Sequence, residues 1–321
     1  MHAAFSVIVF TVLSGTGLGA IALIAADDLY GAITAHVGPL HAWNVAATLA
    51  LALVIAGLGA SALHLANPQN AWRSATRFRT SWLSREAVFS ILFVVIAFAY
   101  LALRWAGIEG LLRNVVACLS LLLAWTVVYC TAMIYASLKP IRAWHTWRVP
   151  LAYLLLAHAA GAVVVMAVLR SFDAPLAQLP AIAGMLIVAA ALSKWNHRLY
   201  LGGDCGRVTL ESALGVAHGV RPNTGPATVA ARLLDVGHSR GTFLTREFCV
   251  TPTPGRQVAA LWMMAIGLFS LPLLWILIAP RSPVWAALAC AAMIAGLFAE
   301  RWLFFVEARH TVRLYHGERR V

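Results

Sequence analysis

The sequence predicts an all-α, polytopic membrane protein with eight transmembrane helices and one cytoplasmic insertion between helices six and seven. Three observations predict it. Hydrophobic residues make up 61% of the chain and charged residues 11%, with a mean hydropathy of +0.81, whereas soluble domains run at about 45–50% and about 25%. Apolar runs near the ~20 residues that carry a helix across the hydrocarbon recur eight times. Basic residues, finally, gather in alternate connections between those runs.

The expected spans are Ala3–Ala26, Ala42–Ala66, Ala87–Ala106, Leu111–Leu138, Val149–Leu169, Leu176–Leu192, Val258–Ile278 and Val284–Phe304. They divide the chain into six helices over 1–193, an insertion over 194–256, and two helices with a basic tail over 257–321. The net charge of +12 and the pI near 10.3 invite a nucleic-acid reading. Their distribution argues against it: 20 of the 24 Lys and Arg lie in the loops after helices two, four and six, at the end of helix eight and in the C-terminal tail. A solvated basic rim accounts for the charge. By the positive-inside rule it places both termini in the cytoplasm, as in a bacterial inner-membrane protein.

Taken in order, helix one carries Gly15, Gly17 and Gly19. No strand precedes them, so they are not read as a phosphate loop. Gly15 and Gly19 share one face in the small-xxx-small arrangement that lets helices approach closely. The N-terminus lacks the positive region of a secretory signal, so the first apolar run reads as a retained span. His36 and His41 in the acidic first loop read as surface residues. Helix two ends at Leu63-His64-Leu65-Ala66, where Asn67-Pro68 stops it. A cationic and aromatic loop follows, with Trp72, Arg73, Arg77, Phe78, Arg79 and Trp82. Ser84 is the expected N-cap of helix three, which puts Glu86 in its first turn.

Glu86 has two readings. It is a helix-terminus carboxylate paired with Arg85 or Arg79, or it faces His64 from the neighbouring span as an intramembrane acid–base pair, since ionisable groups at that depth face protein or water rather than lipid. Helix four ends near Tyr135, and Trp144 and Trp147 beyond it fit an interfacial aromatic belt. His158 stands near the middle of helix five with no second central histidine, so it is a weak candidate ligand for haem b. Glu300 and Arg301 fall where helix eight leaves the membrane, and Glu300 is placed to meet an arginine of the second loop. The tail from Thr311 is basic and reads as partly disordered. The five cysteines show no paired spacing and support neither a disulfide framework nor a cluster or zinc site.

Three motifs together carry a resemblance: LHLANPxxAWRS…RTSWLSREA after helix two, MIYASLKPIRAWHTWRVP after helix four and AERWLFFVEARH near the end. With the eight-helix layout, the chain resembles the membrane anchor subunit of dimethyl sulfoxide reductases. The resemblance implies a helical, quinone-reactive subunit without haem. It would be held in a three-part enzyme with a molybdopterin catalytic subunit and a four-cluster iron–sulfur subunit, which carry the molybdenum and the clusters. It also implies a quinol or quinone site at the positions matched by His64 and Glu86. Basic loops facing the cytoplasm and the long insertion are more similar to the anchor of cytoplasmic sulfite dehydrogenases.

The expected activity is therefore electron transfer between the iron–sulfur subunit and menaquinone or ubiquinone, from sulfite to quinone. The alternatives are quinol oxidation for an S- or N-oxide reductase, or a haem-b cytochrome. His64 would stabilise a quinone oxygen while Glu86 exchanges protons, with Tyr135 and Arg85 beside them. Arg73, Arg77, Arg79, Trp82 and Trp144 would dock the iron–sulfur partner. No residue set in the chain is expected to perform substrate chemistry.

Overall fold

Inside a bilayer a nearly uncharged segment has only its own i to i−4 hydrogen bonds to satisfy its backbone. The computed structural model describes residues 5–34, 40–63, 68–203, 208–213, 255–278, 282–316 and 321, and within them eight helices are long and apolar enough to span a membrane. They are α1 (Phe5–Thr34), α2 (Leu40–Ala62), α3 (Trp82–Trp105), α4 (Leu111–Ala136), α5 (Arg148–Ser171), α6 (Leu179–Gly202), α7 (Gly255–Ile278) and α8 (Pro283–Val306). A 3₁₀ helix, Pro68–Arg77, connects α2 to α3, and a one-turn helix stands at Leu210–Ala213.

Several helices overrun their apolar cores, for a physical reason. α1 continues past Ala26 through Asp28, whose carboxylate is paired with Arg104 of α3. α6 continues past Leu192 through Lys194, paired with Glu300 of α8. Partnered charges no longer need to leave the helix for water. As a result α6 takes up Lys194–Gly202 from the expected insertion, of which 204–207 and 214–254 lie outside the described residues. α3 begins earlier than expected: Ser81, not Ser84, is the N-cap and accepts the Ser84 N–H at 3.4 Å.

α1 and α5 form the centre, with 72% and 67% of their spanning windows buried against 17% for α7, which leans on α8 at the periphery. The small-residue face of α1, read as one that allows close approach, meets α5, and the closest approach is at Gly19 and Gly161. A Cβ on Gly19 would sit 2.0 Å from the Ala157 carbonyl oxygen, and one on Gly161 2.3 Å from the Ala20 nitrogen. Gly17 serves the opposite face, where a Cβ would come 2.3 Å from the Ala50 oxygen of α2. Gly161→Val is therefore expected to cost roughly 3 kcal/mol or more, read as a fall in thermal midpoint and in yield of folded protein in detergent.

The helices alternate in direction. Glu86 near the start of α3 meets Thr131 near the end of α4. Arg198 near the end of α6 pairs with Glu307, just past α8, and Trp262 near the start of α7 bonds the same carboxylate. This shared end, where the even-numbered helices finish, carries the cationic α2–α3 and α4–α5 connections and is called the basic end below. Thr311–His316 forms a 3₁₀ helix, the Thr311 N–H donates to Pro140 O at 3.0 Å, and Leu314 is fully buried. The tail from Thr311 to His316 thus closes over the α4–α5 connection.

Candidate functional site

In the opening turns of α3 a carboxylic acid turns inward. Glu86 is 6% exposed, and its partner is the Thr131 hydroxyl of α4. It pairs with neither Arg85 nor Arg79. Arg85 folds back instead, donating to Phe78 O at 3.0 Å and Arg79 O at 2.8 Å, with its guanidinium 4.2 Å from the Trp82 ring. The Thr131 hydroxyl also lies 3.0 Å from Val127 O. A hydroxyl has one hydrogen, so both contacts are satisfied together when the Glu86 carboxyl carries a proton and donates it to Thr131.

A second buried polar group lies at similar depth. Glu300 of α8 receives Lys194 of α6 at 2.6 Å on one oxygen and its neighbour Arg301 at 2.5 Å on the other, all three nearly inaccessible. Glu300 therefore meets Lys194 and Arg301 rather than an arginine of the second loop. The Arg301 guanidinium lies 4.1 Å over the Tyr153 ring of α5. Between this group and Glu86–Thr131 is a cavity of about 30 Å³ lined by Thr11, Ser14, Thr16, Thr131, Tyr153 and Arg301 among others. The buried Tyr153 hydroxyl forms no well-aligned hydrogen bond with the described residues. That volume, with several hydroxyls among otherwise apolar walls, suits one or two water molecules.

The remaining expected residues fall into three places. Arg73, Arg77 and Arg79 are exposed on and beside the 3₁₀ helix, and Trp82 packs edge-on against Tyr129 at 5.9 Å. Tyr135, one turn beyond Thr131, sits among Trp144, Tyr153, Phe304 and Phe305 with ring centroids 5.1–6.1 Å away. Trp144 is 2% exposed and its indole N–H donates to Phe304 O at 3.2 Å. It belongs to the packed aromatic cluster rather than to a surface, because a ring that large with its one donor satisfied gains most from burial. His64 lies outside the described residues.

His158 of α5 is half-buried and hydrogen-bonded at both ring nitrogens. One ring nitrogen accepts from the Trp125 indole at 2.8 Å and the other lies 2.7 Å from Leu154 O. Among the described residues no group of three or more His, Cys, Asp or Glu could hold a metal ion.

Sequence reasoning missed Thr131, Tyr153 and Lys194, and at the opposite end the cluster of Asp28, Asn44, Tyr100 and Arg104. There Tyr100 donates to Asp28 at 2.6 Å and Arg104 to Asn44 at 2.9 Å. One signal was available: Asp28, Lys194 and Arg104 are ionisable residues within a turn or three of apolar runs, where charge is retained only with a partner.

Comparison with known proteins agrees with this architecture. Residues 1–306 match the family model of the DMSO reductase anchor subunit (DmsC). The chain is also similar to a subunit of the sulfite dehydrogenase of Allochromatium vinosum, 31% identical over 336 residues that cover 98% of this chain and 99% of that protein. No solved structure matches. An eight-helix bundle, matched over nearly its whole length by both the family model and this relative, belongs to the DMSO reductase anchor subunit family, as a membrane subunit of an oxidoreductase complex.

Proposed function

We propose that this chain is the quinone-reactive membrane subunit of a three-part molybdenum and iron–sulfur oxidoreductase, passing electrons released by sulfite oxidation to the membrane quinone pool. The observation that carries the reading is Glu86: a buried carboxyl at the basic end of a membrane bundle, hydrogen-bonded across α3 and α4 to Thr131. Quinone reduction consumes two electrons and two protons, so a site serving it needs a group that holds a proton at that depth. Glu86 fills that role, and His64 is the donor to the carbonyl oxygen on which charge develops. Full-length similarity to a sulfite dehydrogenase subunit supports sulfite as the partner's substrate.

The exposed Arg73, Arg77 and Arg79 provide a cationic surface for an acidic face of the iron–sulfur subunit, which steers association and fixes register. Molybdopterin and the clusters reside in the partners, and the quinone is menaquinone or ubiquinone. The basic end faces the cytoplasm of a bacterial inner membrane. A reporter fused after Val321 is expected to behave as cytoplasmic, and an externally active one reverses the orientation. The decisive test is purification of the tagged chain from its membrane. Two co-purifying subunits bearing molybdenum and iron–sulfur clusters, with sulfite-dependent reduction of quinone, are the expected result. The family description favours a second reading, quinol oxidation for an S- or N-oxide reductase, for which quinol would drive reduction of the oxide and sulfite would give no turnover.

A further inference from the structure

α6 and α7 touch near one end and part toward the other. Near the non-basic end a Cβ on Gly184 would lie 3.9 Å from Leu273 and 4.0 Å from Ile276, ordinary van der Waals contact. Ten residues along α6, about 15 Å, the helices stand apart around a cleft of about 390 Å³. Its floor is α5 and α8. Its walls are almost wholly apolar, among them Ile187 and Ala191 of α6 and Ala265 and Phe269 of α7. Apart from Ser270, whose hydroxyl donates to Gly267 O of its own helix, polar groups gather where Lys194 and Glu300 meet at 2.6 Å, flanked by Trp195 and Trp262. The volume and the apolar lining with a few convergent polar groups are those of a site for a small organic molecule.

We propose that this cleft is a binding site for a lipid-soluble quinone, separate from Glu86, with a quinone carbonyl oxygen at the Lys194 ammonium and the isoprenoid tail leaving between α6 and α7. The proposal rests on the reading that the chain works on quinone. Depth selects the occupant. Lys194 lies eight residues, about 12 Å, inside the basic end of α6, beneath the level at which Arg198, Trp262 and Glu307 join. A phospholipid headgroup stays at that outer level with its water, whereas an uncharged quinone ring enters an apolar wedge without losing a hydration shell. Two cations against one carboxylate in the buried group leave a net positive end, suited to a carbonyl oxygen that gains negative charge.

The test is photolabelling of the whole purified complex with an azido-substituted short-tailed quinone, followed by peptide mapping. Label is expected on α6 around Ala191 and on α7 around Ala265. Ala191→Phe, at an exposed position that fills the cleft, is expected to reduce it at least tenfold, Lys194→Met to weaken it severalfold, and Glu86→Gln to leave it unchanged. Label confined to α3 and α4 overturns the proposal and leaves the quinone reading standing. Absence of specific label anywhere removes both. Displacement by excess phospholipid but not by unlabelled quinone overturns it in favour of a bound lipid. Label that survives both Ala191→Phe and Lys194→Met overturns it as well.

Discussion

Glu86→Gln is expected to lower quinone-coupled turnover by about a hundredfold or more, the usual loss when a positioned acid–base group is removed. Assembly of the complex and its activity with a soluble artificial electron carrier are expected to persist. Glutamine keeps the size and the hydrogen bond to Thr131 but cannot release a proton. Thr131→Val keeps the packing shape and deletes the hydroxyl, and about a tenfold loss is expected, equivalent to about 1.4 kcal/mol. His64→Ala tests the other half of the proposed pair in the same assay. Steady-state kinetics with quinone that do not change in Glu86→Gln and His64→Ala would remove the site, whatever their effect on yield.

Glu300→Ala is expected to be the most destabilising single substitution at the basic end. It strands Lys194 and Arg301, two cations that share this carboxylate out of water, and breaking a buried ion group this way costs about 3–5 kcal/mol. Lys194→Met is expected to cost much less, because Glu300 keeps Arg301 at 2.5 Å. Thermal unfolding in detergent separates the two. Equal midpoints for Glu300→Ala and the unmodified protein would mean that water reaches the group and that its burial has no energetic meaning.

The spans were legible because hydrocarbon thickness writes itself into the length of apolar runs, and the small-residue face of α1 was legible because two glycines, Gly15 and Gly19, repeat at helical spacing. The partners of the charges were not. A helix apolar all round carries no periodicity to tell its protein-facing side from its lipid-facing side. Nothing in the order of residues therefore says that Glu86 meets Thr131, or that Glu300 meets Lys194 more than a hundred positions away. The interfacial reading of Trp144 fails for a related reason. Tryptophan suits a membrane boundary and a packed core equally well, and the choice is made by Phe304 and Phe305, which the tail and α8 bring against it.

One consequence follows from α3, which is fastened at both faces of the bundle: through Glu86 to α4 at one, and through Arg104 to Asp28 and Asn44 at the other. A piston stroke along its own axis would pull one fastening or the other into the hydrocarbon, at about 3 kcal/mol for each unpartnered ionisable group. A push on the cationic connection is therefore expected to reach the bundle interior by rocking or by side-chain rearrangement, with the helix keeping its height in the membrane.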